Sequence, residues 1–591
     1  MHRLDINFKY LLLTFWLTCS VSVAIGQQPT SKIRLNQLGY YPTAPKKAVV
    51  NGAESKSFYI LTPDLADTLY TGKLGKAEHT TYSKAPIQLV DFSAFSQVGE
   101  FVLSVPEAGV SYPFHIDETV FEDAGIASLR AFYYQRASVA LDQQYAGKWY
   151  RKAGHPDDKV LVHASAASQS RPEGTQIVAT GGWYDAGDYN KYIVNSGITM
   201  GTLLSIYEDY PEYFKQLNSQ IPESGNEIPD LLDEVLWNLR WMLTMQDLDG
   251  GVYHKLTTPS FEGMDTRPDL AVQSRYVVQK TTAAALDFVA VMAQASRIFK
   301  AYNMQLPELS ETCLIAAEKA WKWALAHPSE YYEQDELNRR FDPDITTGAY
   351  GDRQLEDEFI WAASELWVTT SKATYGEYLI GKIEEKSVLP SWGQVAMLGY
   401  YSMLRNEHAL DNPTMLKKVR KLVVDFADEL VQQGNSNPYQ VVMGGSVKDF
   451  EWGSNAVAAN QGIALIQAYH LTNELKYLEL ALANLDYLLG RNATGYSFLT
   501  GFGSQSPMNP HHRLSVSDQV DAPVPGLLVG GPNPGKQDNC QYPSDYPDEA
   551  YVDVVASYAS NEIAINWNAP FVYLVFGLEA LKQEAGFIHS K

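Results

Sequence analysis

The sequence predicts a mainly α protein: a closed double ring of helices preceded by a small β-sandwich of immunoglobulin type. Two observations lead there. Apolar residues come in short strand-like runs as far as about Asp117 and at helical spacing from Phe121 onward. The helical segments then follow one another in antiparallel hairpins with no strand of any length between them, which favours a ring of helices over a βαβ fold. A chain of 591 residues that is 45% hydrophobic and 19% charged can bury one very large domain plus a small one.

The elements read in order as follows. Residues 1–26 have the form of a secretion signal: Arg3 and Lys9 precede the apolar run Tyr10 to Trp16, and the small residues Ala24 and Gly26 stand before Gln27. The mature chain is therefore expected outside the cytoplasm, in the periplasm, at the cell surface or secreted. Residues 31–117 hold strand-like runs at 33–39, 48–51, 58–61, 87–92, 101–105 and 113–116, separated by Pro, Gly, Asp and Asn. Residues 118–585 hold helix candidates near 121–142, 191–209, 229–246, 280–301, 309–326, 355–371, 391–405, 414–433, 452–470, 473–489 and 554–583. No sequence repeat is visible, which argues against a solenoid.

Composition excludes several partner classes. The formal charge is -23, from 46 Lys+Arg against 69 Asp+Glu, which repels nucleic acid phosphates and anionic membranes. No stretch after the signal reads as a transmembrane segment. Cys313 and Cys540 alone remain after the signal, too few for a disulfide framework or a thiolate zinc cluster. Aromatic content is 12%, and flat rings are what a protein needs to stack on sugars. A neutral partner and a monomeric chain are expected.

Three loops carry the unusual residues. Gly181 to Tyr192 packs Asp185 and Asp188 among glycines and the rings of Trp183, Tyr184 and Tyr189, which suits close approach of a ligand and exclusion of water. The alternative is an Asp-Gly turn with Asp188 as a helix N-cap. The second stretch runs Tyr551-Val552-Asp553, Tyr558, Asn561-Glu562 and Asn566 to Pro570. Ala559, Ile563, Ala564 and Ile565 surround Glu562 with apolar groups that raise a carboxyl pKa, as a general acid requires; an exposed helical Glu is the alternative. The third runs from Ser497 to Gly503 and on to Asn509-Pro510-His511-His512-Arg513, offering donors for sugar hydroxyls. The adjacent histidines invite a metal reading, but no His-Glu-x-x-His helix or Cys cluster completes such a site.

Together these stretches resemble glycoside hydrolase family 9, the inverting cellulases with an (α/α)6 barrel. Thr500 to Arg513 is similar to the family's His signature, with Gln505 where Asn, Lys or Arg is usual. Tyr551-x-Asp553-x4-Tyr558-x3-Glu562-x-Ala564-x3-Asn568-Ala569 matches the second signature, and Asp185-Ala186-Gly187-Asp188 the water-binding pair. The opening Ile33 to Tyr40 looks like the start of the immunoglobulin-like domain in one branch of the family. The resemblance implies Asp188 as general base, Asp185 as a second holder of the attacking water and Glu562 as general acid. His511 joins this catalytic set, as does Asp553 in a supporting role. It also points to His254, Trp452 and Arg513 as substrate-binding residues, and the rings of Trp183, Tyr184 and Tyr558 beside the carboxyls are expected to join them. No cofactor is required for catalysis. Some members hold structural calcium, and Asp357-Glu358 resembles part of that site, but Arg353, Gln354 and Gly393 stand where other partners are expected.

The activity so implied is endo-acting hydrolysis of a β-1,4-glucan, either cellulose or a relative such as xyloglucan. An exo-acting β-glucosidase or glucosaminidase of the same fold is the nearest rival. A non-catalytic glycan-binding surface protein is the rival from another class, and it predicts loss of a carboxylate that this chain retains.

Overall fold

The computed structural model describes residues 28–52 and 54–589; the expected signal, 1–26, lies outside them. Ten strands fall between Ile33 and Ile116: β1 (Ile33–Arg34), β2 (Gly39–Tyr40), β3 (Lys47–Asn51), β4 (Ser57–Leu61), β5 (Thr68–Lys73), β6 (Ala77–Glu78), β7 (Ile87–Asp91), β8 (Gly99–Val105), β9 (Gly109–Val110) and β10 (Phe114–Ile116). They form one sheet in the order β1-β3-β7-β6 and a second in the order β2-β10-β8-β4-β5, with β9 on β8. Val50, Phe58, Ile60, Val90, Phe101, Leu103 and Phe114 fill the space between the sheets. Strand β5 is absent from the sequence expectations because, as an edge strand, it buries no alternate face.

Of the seventeen α-helices of the larger domain among the described residues, the twelve of six residues or more are α1 (Glu122–Gln135), α2 (Ile193–Asp209), α3 (Asp230–Thr244), α4 (Thr282–Phe299), α5 (Leu309–Ala326), α6 (Glu356–Thr370), α7 (Ala373–Tyr378), α8 (Ala396–Arg405), α9 (Pro413–Ser436), α10 (Ser454–Thr472), α11 (Leu475–Leu488) and α12 (Ile565–Leu581). The even-numbered helices line the inner ring, with contacts α2–α4, α4–α6, α6–α8, α10–α12 and α12–α2; α9 bridges α8 to α10. Burial follows position. Outer α9 buries one stripe, Leu416, Val419, Val423, Ala427 and Leu430. Inner α4 is buried on every side except at Arg297. The segment Thr282–Tyr302 is long and apolar enough to cross a membrane, and its place inside the ring explains that composition. Helix α7, short and interrupted by Gly376 against Trp367, gave no periodic signal in the sequence.

Two expectations are corrected. Short strands do lie among the helices: β11 (Val160–Val162), β12 (Gln176–Ile177), β13 (Lys191–Tyr192), β14 (Lys255–Thr257) and β15 (Tyr276–Val277) form one sheet in the order β12-β11-β15-β14-β13. At two or three residues each they are too short for periodicity to reveal. The helix expected over 554–583 is broken at Glu562–Ala564, where the backbone is extended and pairs with other loops. Closure of the ring by α12 on α2 sets residue 562 beside residue 188.

The sandwich is fastened to the ring by polar bonds. Asn36 donates to Asp486 at 2.8 Å, and Gln505 N donates to Gln37 Oε1 at 2.8 Å. Gln505, the departure from the signature, thus serves this interface and does not line the cleft.

Candidate active site

Three loops far apart in sequence are stitched together by main-chain bonds. Ile565 N donates to Asp185 O at 2.9 Å, His511 N to Asn561 O at 2.9 Å, and Arg513 N to Gly187 O at 3.1 Å. Ala186 bridges Ala564 and His511 bridges Glu562. The packing leaves no room for a side chain at Gly187: a Cβ there would lie 2.2 Å from His511 O and 3.1 Å from Glu562 Oε1. These loops open onto a cleft of about 960 Å³, lined by Asp185, Asp188, Glu562 and His511 and by the rings of Tyr350, Trp392, Trp452, Tyr558 and Trp567.

The two aspartates differ in their partners. Asp188 Oδ2 accepts from Asn190 N at 3.2 Å, Asn190 Nδ2 at 2.5 Å and the Tyr192 hydroxyl at 3.2 Å. Its Oδ1 has no donor among the described residues, so that oxygen remains available to a water. Asp188 is not an N-cap, because α2 begins at Ile193 behind Tyr192. Asp185 accepts from Asn195 at 2.6 Å and from the Tyr350 hydroxyl at 2.8 Å. Burial, and then the charge of Asp188, push the Asp185 carboxyl well above the usual range. Tyr350, the donor to Asp185, holds a left-handed backbone (φ 46°).

Glu562 is the most strongly perturbed of the three cleft carboxyls. Burial raises its carboxyl far above the ordinary value, and the charges of Asp188 and Asp185 add to that; Arg513 and the Gly187 N–H oppose it more weakly. His511 Nδ1 donates to Val555 O at 2.7 Å, and burial lowers its pKa, so the ring is neutral and presents Nε2. Arg513 donates to Glu262 O at 2.9 Å and to Gly187 O at 2.8 Å, and lies over Phe261 at 5.6 Å. It therefore ties the aspartate loop to the cleft wall. Trp452 packs on Tyr558 with ring centres 5.4 Å apart, and its indole is 43% exposed, so a face is free for a sugar.

Other sequence-derived candidates lie outside the cleft. Trp183 is fully buried, donating to Glu234 at 2.8 Å and packing on Phe132 at 4.8 Å. Tyr184 is equally buried, bonded to His155 at 2.8 Å. Both are corrected from substrate contacts to supports, because the loop turns their rings into the core behind Asp185. His254 is corrected likewise: it stacks on Tyr332 at 4.2 Å and bonds Ala349 O at 2.7 Å, with no face on the cleft. Asp553 accepts from Met508 N, Asn509 N and Asn561 Nδ2 at 2.8 to 3.0 Å and so braces the His511 loop. His512, beside His511, is buried and bonds Gln135 at 2.9 Å. Sequence reasoning missed Tyr350, Trp392, Phe261 and Trp567, whose only signal was an aromatic in a long loop or at a helix start.

The calcium candidates have an unusual setting. Asp357 and Glu358 sit with Asp287 of α4 and Asp352, and both oxygens of Asp287 and of Glu358 are buried without a partner. Such carboxylates suit a hard cation. As folded, no three Asp, Glu, His or Cys side chains converge on one point among the described residues. Burial first, and mutual repulsion second, raise the Glu358 and Asp287 carboxyls well above the ordinary range. A group whose pKa rises on folding contributes stability below its unfolded pKa, near 4.3 for Glu, and loses it as pH climbs through the folded value. Glu358→Gln is therefore expected to raise the melting temperature at about pH 8 by a few degrees and to flatten its fall from about pH 5. Thermal scans check this; a variant melting temperature at about pH 8 no higher than that of the wild type would contradict it.

An acceptor carboxyl beside an acid held neutral, in a ring cleft walled by indole and phenol rings, defines a glycan-cleaving hydrolase. Comparison with known proteins places it more narrowly. The profile of "Glycosyl hydrolase family 9" matches residues 121–575, and that of "Cellulase N-terminal ig-like domain" matches residues 28–110. The chain belongs to glycosyl hydrolase family 9. It is 47% identical to the xyloglucan-specific endo-beta-1,4-glucanase BoGH9A of Bacteroides ovatus, over 96% of each chain. It is 32% identical to Endoglucanase D of Acetivibrio thermocellus, over 94% of this chain and 85% of the relative. The solved Bacteroides ovatus GH9 structure superposes with a TM-score of 0.89 at 47% identity, covering 94% of this chain and 100% of that one.

Proposed function

We propose that this exported, monomeric enzyme cleaves xyloglucan, a branched β-1,4-glucan, with inversion. Asp188 takes a proton from the water that attacks the anomeric carbon, Asp185 holds that water from its second side, and Glu562 protonates the departing glycosidic oxygen. The observation that carries this reading is the pairing itself: Glu562, held neutral by burial, lies in the same cleft as an aspartate that is used only as a hydrogen-bond acceptor and keeps one oxygen free. An acid that starts protonated and a base that starts as an acceptor supply both proton transfers, and no cofactor enters either step. His511 and Arg513 are placed to hold hydroxyls and the loops, and Trp452, Trp392 and Tyr558 to stack on sugar rings.

The substrate assignment draws its support from the likeness to the Bacteroides ovatus enzyme, along the whole length of both chains. Product analysis on xyloglucan, carboxymethylcellulose and mixed-linkage glucan tests it, using the chain from Gln27 with the native N-terminus read by mass spectrometry. Rapid shortening of xyloglucan, with products of inverted anomeric configuration, is expected. Release of monosaccharide from one chain end would favour the exo-acting rival, and preference for unbranched cellulose would remove the xyloglucan assignment.

A further inference from the structure

A buried ammonium stands directly behind the proposed base. Lys255 of β14 is the cross-strand partner of Tyr192 of β13, whose hydroxyl donates to Asp188 at 3.2 Å. The Lys255 side chain is wholly buried. Its Nζ donates to Gln334 Oε1 at 2.8 Å, Thr347 Oγ1 at 3.1 Å and Gly348 O at 2.6 Å, none of them a carboxylate. It lies 5.5 Å from the centre of the Tyr192 ring and 5.1 Å from that of Tyr332. A cation held only by neutral acceptors and ring faces is a costly thing to bury unless its charge is used.

The loop that Lys255 grips is the one that serves the other aspartate. Thr347 and Gly348 lead to Tyr350, the donor to Asp185 at 2.8 Å. Gly348 lies so close over the Tyr192 hydroxyl that a Cβ there would stand 3.2 Å from it, and the Tyr192 and Tyr350 rings meet edge to face at 4.9 Å. One ammonium thus fastens both tyrosines that orient the carboxyl pair.

We propose that Lys255 is a positioning residue for the reaction: it holds Tyr192 on Asp188 and, through the 346–350 loop, Tyr350 on Asp185. The proposal rests on the reading of Asp188 as that base. The titratable neighbours leave this charge unopposed. Burial pushes the Tyr192 and Tyr332 hydroxyls up and His254 down to about 3, so all three are neutral. Burial also pushes Lys255 itself down, to about 7, against the smaller upward pull of the Asp188 charge.

The test is kcat and KM against pH on a soluble xyloglucan oligosaccharide, for the wild type, Lys255→Gln, Lys255→Arg and Gln334→Leu, with Asp188→Asn alongside. Lys255→Gln is expected to lower kcat about tenfold or more with KM within about twofold. The acid limb of its kcat/KM profile is expected to move up by about one pH unit, and Lys255→Arg to restore the limb. Gln334→Leu, which removes one acceptor, is expected to make activity fail at lower pH on the alkaline side. A folded Lys255→Gln enzyme with wild-type limbs and kcat within twofold would overturn the proposal. Should that variant not fold, a Gln334→Leu profile superimposable on the wild type would do so. Asp188→Asn keeps the two readings apart: if it stays active, the assignment of the base fails; if it is inactive while Lys255→Gln behaves as wild type, only the role of Lys255 fails.

Discussion

Glu562→Gln is expected to cost about 10³-fold in kcat on xyloglucan, with KM little changed and the fold intact. The side chains are isosteric, but an amide cannot deliver a proton to the leaving oxygen. The loss should depend on the leaving group. With an aryl glycoside whose phenol departs without help, the deficit is expected to shrink to about tenfold, because proton donation is no longer demanded. The pH profile gives a second readout. Burial and two neighbouring carboxylates hold Glu562 protonated far above the ordinary Glu value, so wild-type activity persists into that range and fails as pH rises through the raised pKa. The variant has no such proton to lose, and its residual activity on the alkaline side should fall only as Lys255 loses its own. A Glu562→Gln enzyme within tenfold of wild type on the polymer, or one equally impaired on both substrates, would remove Glu562 from the acid role.

How far this arrangement was legible in the sequence depends on the kind of signal. The meeting of Asp185, Asp188 and Glu562 in one cleft was legible because motif spacing encodes them, and the close packing at Gly187 shows the physical demand behind that spacing. The helices of the ring were legible because outer ones such as α9 carry an apolar stripe and inner ones such as α4 are apolar all round. Side-chain direction was not legible. Trp183 and Tyr184 lie two and one residues before Asp185, yet both rings point into the core. His254 is next to Lys255, which faces the Tyr192 ring, while His254 itself stacks on Tyr332. In each case tertiary packing, and not residue type, chose the face. The break at Glu562 was hidden for a related reason: 554–583 reads as one apolar helix, and only pairing with His511, Val529 and Ala186 holds Glu562 to Ala564 extended. Tyr350, on a long loop, left no pattern at all.

Asp188→Asn is expected to be at least as damaging as the acid variant, lowering kcat about 10³- to 10⁴-fold, and by the same factor on polymer and on aryl glycoside. Activation of water is needed whatever the leaving group, so the contrast between substrates assigns base and acid independently. Asparagine can keep an oxygen toward Asn190 and Tyr192, the donors that now converge on Oδ2, and its amide nitrogen then occupies the position of the free Oδ1. That nitrogen donates where an acceptor is required, so the water is bound the wrong way round. Asp185→Asn should cost less, about 10²-fold, because Asp185 already spends both oxygens on Asn195 and Tyr350 and its carboxyl is driven toward the neutral form by burial. In the proposed mechanism it orients the water without taking its proton. The ranking is the decisive quantity: an Asp185→Asn enzyme more impaired than Asp188→Asn would exchange the two roles, and the raised carboxyl of Asp185 would then have to ionise when substrate and water enter the cleft.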